Sequence, residues 1–294
     1  MSDKSITLKQ GQLDILELLY KYRFSSRQLL LDSLGEGSGT DANLYQKLEV
    51  LIKHGLVFKR HEPRQKLLGI PFAYSLTPKG VKALQTLPQH DHITDSVIKG
   101  WYRNKTVDQK FVNRTIAIHK YTNLLATFYP SIKVFTQRDL AKFFYFPPHL
   151  PDAVLSLPLE DGASLRYFFD IIPSGMPRKA LDGKLMNYCT FFDLGGWKVT
   201  KSDNPAILLV ASNGRAERQL QYIARARLQR YDELDLRMYT TTVQALANMN
   251  NEGLIWTRVD DTDEPLELTQ LLSQLTSYMQ KPESPKAPGL LMLS

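Results

Sequence analysis

Apolar residues recur at helical intervals through the first fifty positions. Leu13, Ile15, Leu16, Leu18 and Leu19 predict one helix, and Leu29, Leu30, Leu31 and Leu34 a second, capped by Ser25 or Ser26. After the flexible Gly35–Gly39 break, Thr40 or Asp41 caps a third, with Ala42, Leu44, Leu48, Leu51 and Ile52 inward and Gly55 stopping it. Strand-like stretches at 56–61 and 72–76 flank a basic loop, and Pro78 opens a further helix. Residues 111–128 carry an amphipathic stripe of Val112, Ile116, Ile118, Leu124, Leu125 and Phe128 that Pro130 ends. The pattern then changes. Strands are expected at 133–136, 149–155, 167–172, 206–211, 236–242 and 254–259, with helices from Ala180 and over 216–231. The all-apolar run Ala206–Ala211 suits the middle of a sheet. Strands alternating with helices give an α/β order.

Charge divides the chain in the same way. Residues 1–120 hold 19 Lys and Arg against 11 Asp and Glu, a net +8, so the whole +7 excess lies there. A basic first part beside a neutral remainder suggests a polyanion-binding module joined to something else. Cys189 is the single cysteine, which excludes an internal disulfide and a cysteine zinc cluster. No apolar run reaches the roughly 20 residues of a membrane span, and the first residues lack a secretory core, so a cytoplasmic setting is expected.

Three short helices and a hairpin are the parts of a winged helix-turn-helix. Gly55-Leu56-Val57 and Tyr74-Ser75-Leu76-Thr77-Pro78-Lys79-Gly80 resemble such modules in bacterial transcription regulators, over roughly residues 8–86. In that fold the third helix enters the major groove. Asn43, Gln46 and Lys47, with Tyr45 beside them, are the base-reading candidates, since Asn and Gln pair two-pronged with adenine. Lys59, Arg60, Arg64 and Lys66 on the wing are the phosphate candidates.

The organisation expected is a winged helix at 1–86, a linker at 87–110, an α/β domain at 111–280 and a disordered tail at 281–294. His90-Asp91-His92 has the residue types of a metal site, but its polar setting after Pro88 favours a solvated loop. His119 reads as a surface or internally satisfied histidine.

Asp152 and Asp170 are the candidate chemistry. Each sits in or beside an apolar strand, where a carboxylate needs a compensating partner. Two such acids on neighbouring strands suit a hard divalent cation, Mg²⁺ or Mn²⁺. Lys184 and Tyr188 lie four apart and share a helix face. Pro151-Asp152, Asp170 and Lys184 resemble the restriction-endonuclease-like core, though Ile172 stands where that core carries its lysine. More narrowly, residues 8–259 resemble the replication-relaxation family, which includes the C-type mobilisation relaxases. The winged helix, Pro151–Leu155, the Phe168-Phe169-acid strand, Lys184-x-x-x-Tyr188, Ile207–Val210 with Arg215, and Leu254-Ile255-Trp256 carry the likeness. The family shows Glu-apolar-Asp on the second strand, against Asp170-Ile171-Ile172 here.

The resemblance implies a mobilisation protein of a plasmid or integrative element that nicks one strand at an origin of transfer or replication. Asp152 and Asp170 would hold the metal, Lys184 would stabilise developing charge, His149 would act as base or orienter, and Tyr188 would position the phosphate or attack it. Expected partners are double-stranded DNA, a coupling protein or other relaxosome proteins, and a second copy on a palindromic target, with no membrane. The reading from another class is a non-catalytic DNA-binding accessory protein or transcriptional regulator with a degenerate nuclease fold, in which Asp170 and Lys184 form a buried structural ion pair. The final apolar Leu290–Leu293 suits a docking peptide or a plain tail.

Overall fold

A computed structural model describes residues 8–35, 40–61, 69–159, 162–231, 233–249 and 255–260, and the backbone of 265–266. The fold is mixed α/β. The chain divides into two compact units, Met1–Asn123 and Leu124–Ser294.

The first unit begins with α1 (Gln10–Tyr22), α2 (Arg27–Leu34) and α3 (Asp41–Lys53). Ser26 and Thr40, rather than Ser25 and Asp41, cap α2 and α3, their hydroxyls accepting from Leu29 and Asn43 N–H groups. β1 (Val57–Arg60) and β2 (Ala73–Leu76) then pair antiparallel, Val57 opposite Leu76. Three helices and a hairpin appear in the order expected. Thr77 caps α4 (Pro78–Gln85), where Pro78 needs no intrahelical N–H partner. Gly80 is required there, because a Cβ would stand 2.1 Å from the Leu56 carbonyl oxygen.

Residues 87–110 are not a linker. Thr94 caps α5 (Asp95–Trp101), and Ile93 and Trp101 are buried in the first unit's core with Leu16, Leu19 and Leu84. Buried Asn104 accepts from Arg23 Nε at 2.6 Å and donates to Ser75 Oγ at 3.0 Å. Two large apolar side chains and a satisfied amide outweigh the polar surroundings that suggested a solvated connection. The boundary between units falls inside α6 (Gln109–Phe128), later than the expected domain start at 111.

Among the described residues the second unit is built on seven strands: β3 (Lys133–Thr136), β4 (Ala153–Pro158), β5 (Ser164–Ile171), β6 (Ala206–Ala211), β7 (Met238–Thr242), β8 (Trp256–Arg258) and β9 (Pro265–Leu266), in that spatial order. β5, β6 and β7 run parallel, with antiparallel strands on either side. The parallel neighbours are joined through α7 (Arg178–Asp193) and α8 (Gly214–Leu228). Alternate strand residues Val154, Phe168, Ile207, Leu209 and Met238 pack with Leu181, Leu185, Tyr188, Phe192, Leu220 and Ile223 of these helices in one core. Asn213 caps α8, accepting from Ala216 N–H at 3.0 Å. The proposed tail at 281–294 lies outside the described residues.

Candidate functional site

The β4–β5 register decides whether the two aspartates meet. Ala153 pairs with Phe169, so Asp152, one residue before β4, stands opposite Asp170. Directly opposed residues of an antiparallel pair project to the same face. The backbone strengthens this juxtaposition. Asp152 N–H donates to Asp170 Oδ1 at 3.1 Å, and Ile171 N–H donates to Asp152 Oδ2 at 2.9 Å.

Lys184 and Tyr188, one helical turn apart on α7, close over Asp170. Lys184 Nζ lies 2.9 Å from Asp170 Oδ1, and the Tyr188 hydroxyl donates to Oδ2 at 2.5 Å. The Lys184 ammonium also lies 5.3 Å from the Tyr188 ring centroid, a cation–π contact. Asp152 and Asp170 are 2% and 0% exposed, and the Lys184 side chain 16%. Four of the five residues expected in the centre are therefore brought together. His149, three residues before Asp152, is exposed in the loop before β4.

Mg²⁺ and Mn²⁺ take about six oxygen ligands and retain water. Both Asp170 oxygens already accept hydrogen bonds, three donors in all, and the lysine ammonium supplies the compensating charge. Among the described residues no cluster of three or more His, Cys, Asp or Glu side chains is placed to hold a metal. Ile172, two residues beyond Asp170 on the same face, is 7% exposed and packs in the apolar core. The residues present do not fit a hydrated divalent ion at Asp152 and Asp170 as arranged. They fit a buried ion pair with full hydrogen bonding, the arrangement in which an internal charge is tolerated.

In the first unit, α3 buries Leu44, Leu48 and Leu51 and exposes Asn43, Tyr45 and Gln46. Asn43 and Gln46 thus lie open to solvent. Lys47 does not share their exposure. It is half-buried, and its Nζ lies 2.8 Å from where a Cβ on Gly11 of α1 would stand, because the missing side chain there makes room for the lysine stem. On the wing, exposed Lys59 pairs with Glu49 at 3.4 Å. Arg60 is half-buried and donates to the Val107 carbonyl at 2.6 Å, so this guanidinium ties β1 to the segment before α6. Arg64 and Lys66 lie outside the described residues.

Three other histidines have structural explanations. His90 Nε2 lies 3.2 Å from Glu17 Oε1, and the rings of His90 and His92 pack on Tyr20. His119 is buried between two hydroxyls, Nδ1 2.8 Å from Ser25 Oγ and Nε2 2.7 Å from Ser33 Oγ, and stacks on Tyr22 at 3.8 Å. Burial, then the charge of Lys21, push its pKa down to about 3. Burial holds the Cys189 thiol up at about 11, which suits a packing residue and not a nucleophile.

The sequence carries no sign of the serine pair around His119, since the three are joined by separations of 94 and 86 residues. It did carry a sign of the exposed Arg215, Arg218 and Tyr222 on α8, whose spacings of three and four place them on one side. No family model, curated protein or solved structure matches this chain.

Proposed function

We propose that this is a DNA-binding accessory or regulatory protein of the mobilisation type its sequence resembles, acting in the cytoplasm on double-stranded DNA. The first unit grips the duplex. The second is a nuclease-like scaffold whose acidic pair serves the fold. Duplex binding is supported by the charge excess of the first part and by α3, whose outward Asn43 and Gln46 have the chemistry to read adenine. The observation that carries the non-catalytic reading is Asp170: wholly buried, both oxygens hydrogen-bonded, and neutralised by Lys184. A scissile phosphate needs access to the metal and its ligands, and these carboxylates are closed to solvent. Among the described residues no helix is long and apolar enough to cross a membrane.

One observation favours the nicking reading: Asp152 and Asp170 share a face at the end of adjacent strands with a lysine in contact. Metal binding in that case requires Lys184 to leave Asp170. Two measurements separate the readings. Calorimetric titration of the whole chain with Mn²⁺ gives no binding between micromolar and millimolar on the scaffold reading. A supercoiled origin plasmid stays intact with Mg²⁺ or Mn²⁺. Metal-dependent nicking that disappears in both Asp152→Ala and Asp170→Ala overturns the scaffold reading and establishes a nickase.

A further inference from the structure

The outer side of α8 carries a feature that the acidic pair and the winged helix leave unused. Arg215, Arg218 and Tyr222 follow one another at intervals of three and four, and all are exposed. Tyr222 is 66% exposed, unusual for so large a ring on a helix that buries Leu220, Ile223 and Ala224 on its other side. Arg178, the first residue of α7, holds its guanidinium 5.7 Å from the Tyr222 ring centroid. A guanidinium nitrogen of Arg218 comes within 3.7 Å of a Cβ position on Gly214, so this side chain lies back over the first turn of α8.

The neighbouring acids offset these cations only in part: Asp182 feels Arg178 and Glu217 feels Arg218, but each has its main partner elsewhere. Asp182 is taken by Arg227 in a two-pronged pair, and Glu217 lies inward beside Thr240. Topology adds a second reason for positive potential. β5 and β6 are parallel, so α7 and α8 both start beyond the carboxyl ends of their strands, and their N-terminal N–H groups lie on that same edge. Arg178 and Arg215 stand in these first turns.

We infer that Arg178, Arg215, Arg218 and Tyr222 form a binding track for single-stranded nucleic acid. The guanidinium groups would meet phosphates, and an unpaired base would stack on Tyr222 with Arg178 beside the ring. Paired bases are occupied by their own stack and offer no face to the ring, which sets this track apart from the duplex-binding first unit. A membrane surface fits less well: Gln219 shares the exposed side of α8, and no apolar stripe is there to insert. The inference stands on the second unit's own geometry and does not depend on duplex recognition by α3.

The test uses the full-length chain and fluorescence anisotropy with three probes: a short oligo-dT, an oligo-rU of equal length, and a blunt duplex. At about 50 mM salt, Tyr222→Ala is expected to weaken single-strand binding by roughly 10-fold or more, within the range for loss of one base–aromatic stack. Tyr222→Phe should hold within about twofold, because the ring remains. Arg215→Ala with Arg218→Ala should weaken the same probes and flatten their salt dependence. Duplex affinity should be unmoved by Tyr222→Ala but should fall in Asn43→Ala and Gln46→Ala, which keeps a failure of this track distinct from a failure of duplex binding. Preference for oligo-dT or oligo-rU identifies the strand, and equal binding means the sugar is not read; all three support the track. Failure of both oligonucleotides to bind, or Tyr222→Ala and the double arginine variant both within twofold of the parent, overturns it. Exposure of all these side chains makes unfolding an unsuitable explanation, and an unchanged melting temperature checks it.

Discussion

Replacing Lys184 with Met isolates the feature on which the functional reading turns. The change keeps a long flexible stem and removes the charge, leaving Asp170 fully buried with the Tyr188 hydroxyl and the Asp152 N–H but no cation. Removing one partner of a buried pair costs about 3–5 kcal/mol, since the remaining charge is uncompensated. Lys184 retains 16% exposure, so water screens it in part and the low end, about 3 kcal/mol, is expected. In a unit of this size each kcal/mol moves the melting temperature by roughly 2–4 °C, which gives a fall of about 6–12 °C. Adding Asp170→Asn removes the stranded charge, and the double variant should regain about half of the loss or more. Scanning calorimetry supplies the temperatures, and hydrogen exchange on peptides covering β5 assigns the change to the second unit. A Lys184→Met protein melting within about 2 °C of the parent would refute the ion-pair argument and return Lys184 to the list of groups held ready for chemistry.

Other consequences are equally direct. His119 is neutral when folded, and its pKa, held at about 3, lies below the unfolded value near 6.5. The unfolded chain therefore binds the proton first as pH falls, and stability present above pH 6.5 should drop by about 2 kcal/mol at pH 5; urea unfolding at pH 7 and 5 reads this, and His119→Gln should flatten the difference. Gly80→Ala places a methyl 2.1 Å from the Leu56 carbonyl oxygen and should destabilise the first unit by about 1–3 kcal/mol or more, visible as early loss of the Trp101 fluorescence signal. Gln46→Ala should cost about 1–3 kcal/mol on a preferred duplex and little on an unrelated one, read by competition binding. Cys189 should resist a thiol reagent in the native protein at pH 8 and react on addition of denaturant.

What the sequence discloses depends on how local the cause is. The apolar run at β6 and the caps of α2 and α3 depend on neighbours a few residues away; the run is legible outright, and each cap narrows to two adjacent residues. Asp152 and Asp170 stood out because an acid in an apolar strand requires an explanation. Whether they met was settled by a register set eighteen residues apart, which no local pattern states. The segment at 87–110 reads as a linker because its polar residues, two histidines and Gly100 mask a short helical spacing of Ile93, Val97, Ile98 and Trp101, the residues that pack in the core. Lys47 and Arg60 looked like DNA contacts by charge and position. Their partners, the space over Gly11 and the Val107 carbonyl, are created only when distant segments pack.

The isoleucine after β5 sets a boundary on redesign. Ile172 donates its N–H to the Val210 carbonyl at 2.8 Å, and its side chain is walled in by the α7 and α8 side of the sheet. Installing a carboxylate or ammonium there to build a working nuclease strands a charge in hydrocarbon, several kcal/mol uphill before any metal arrives. A designer starting from this scaffold must first open a wet channel past Leu181 and Leu185, and only then change position 172.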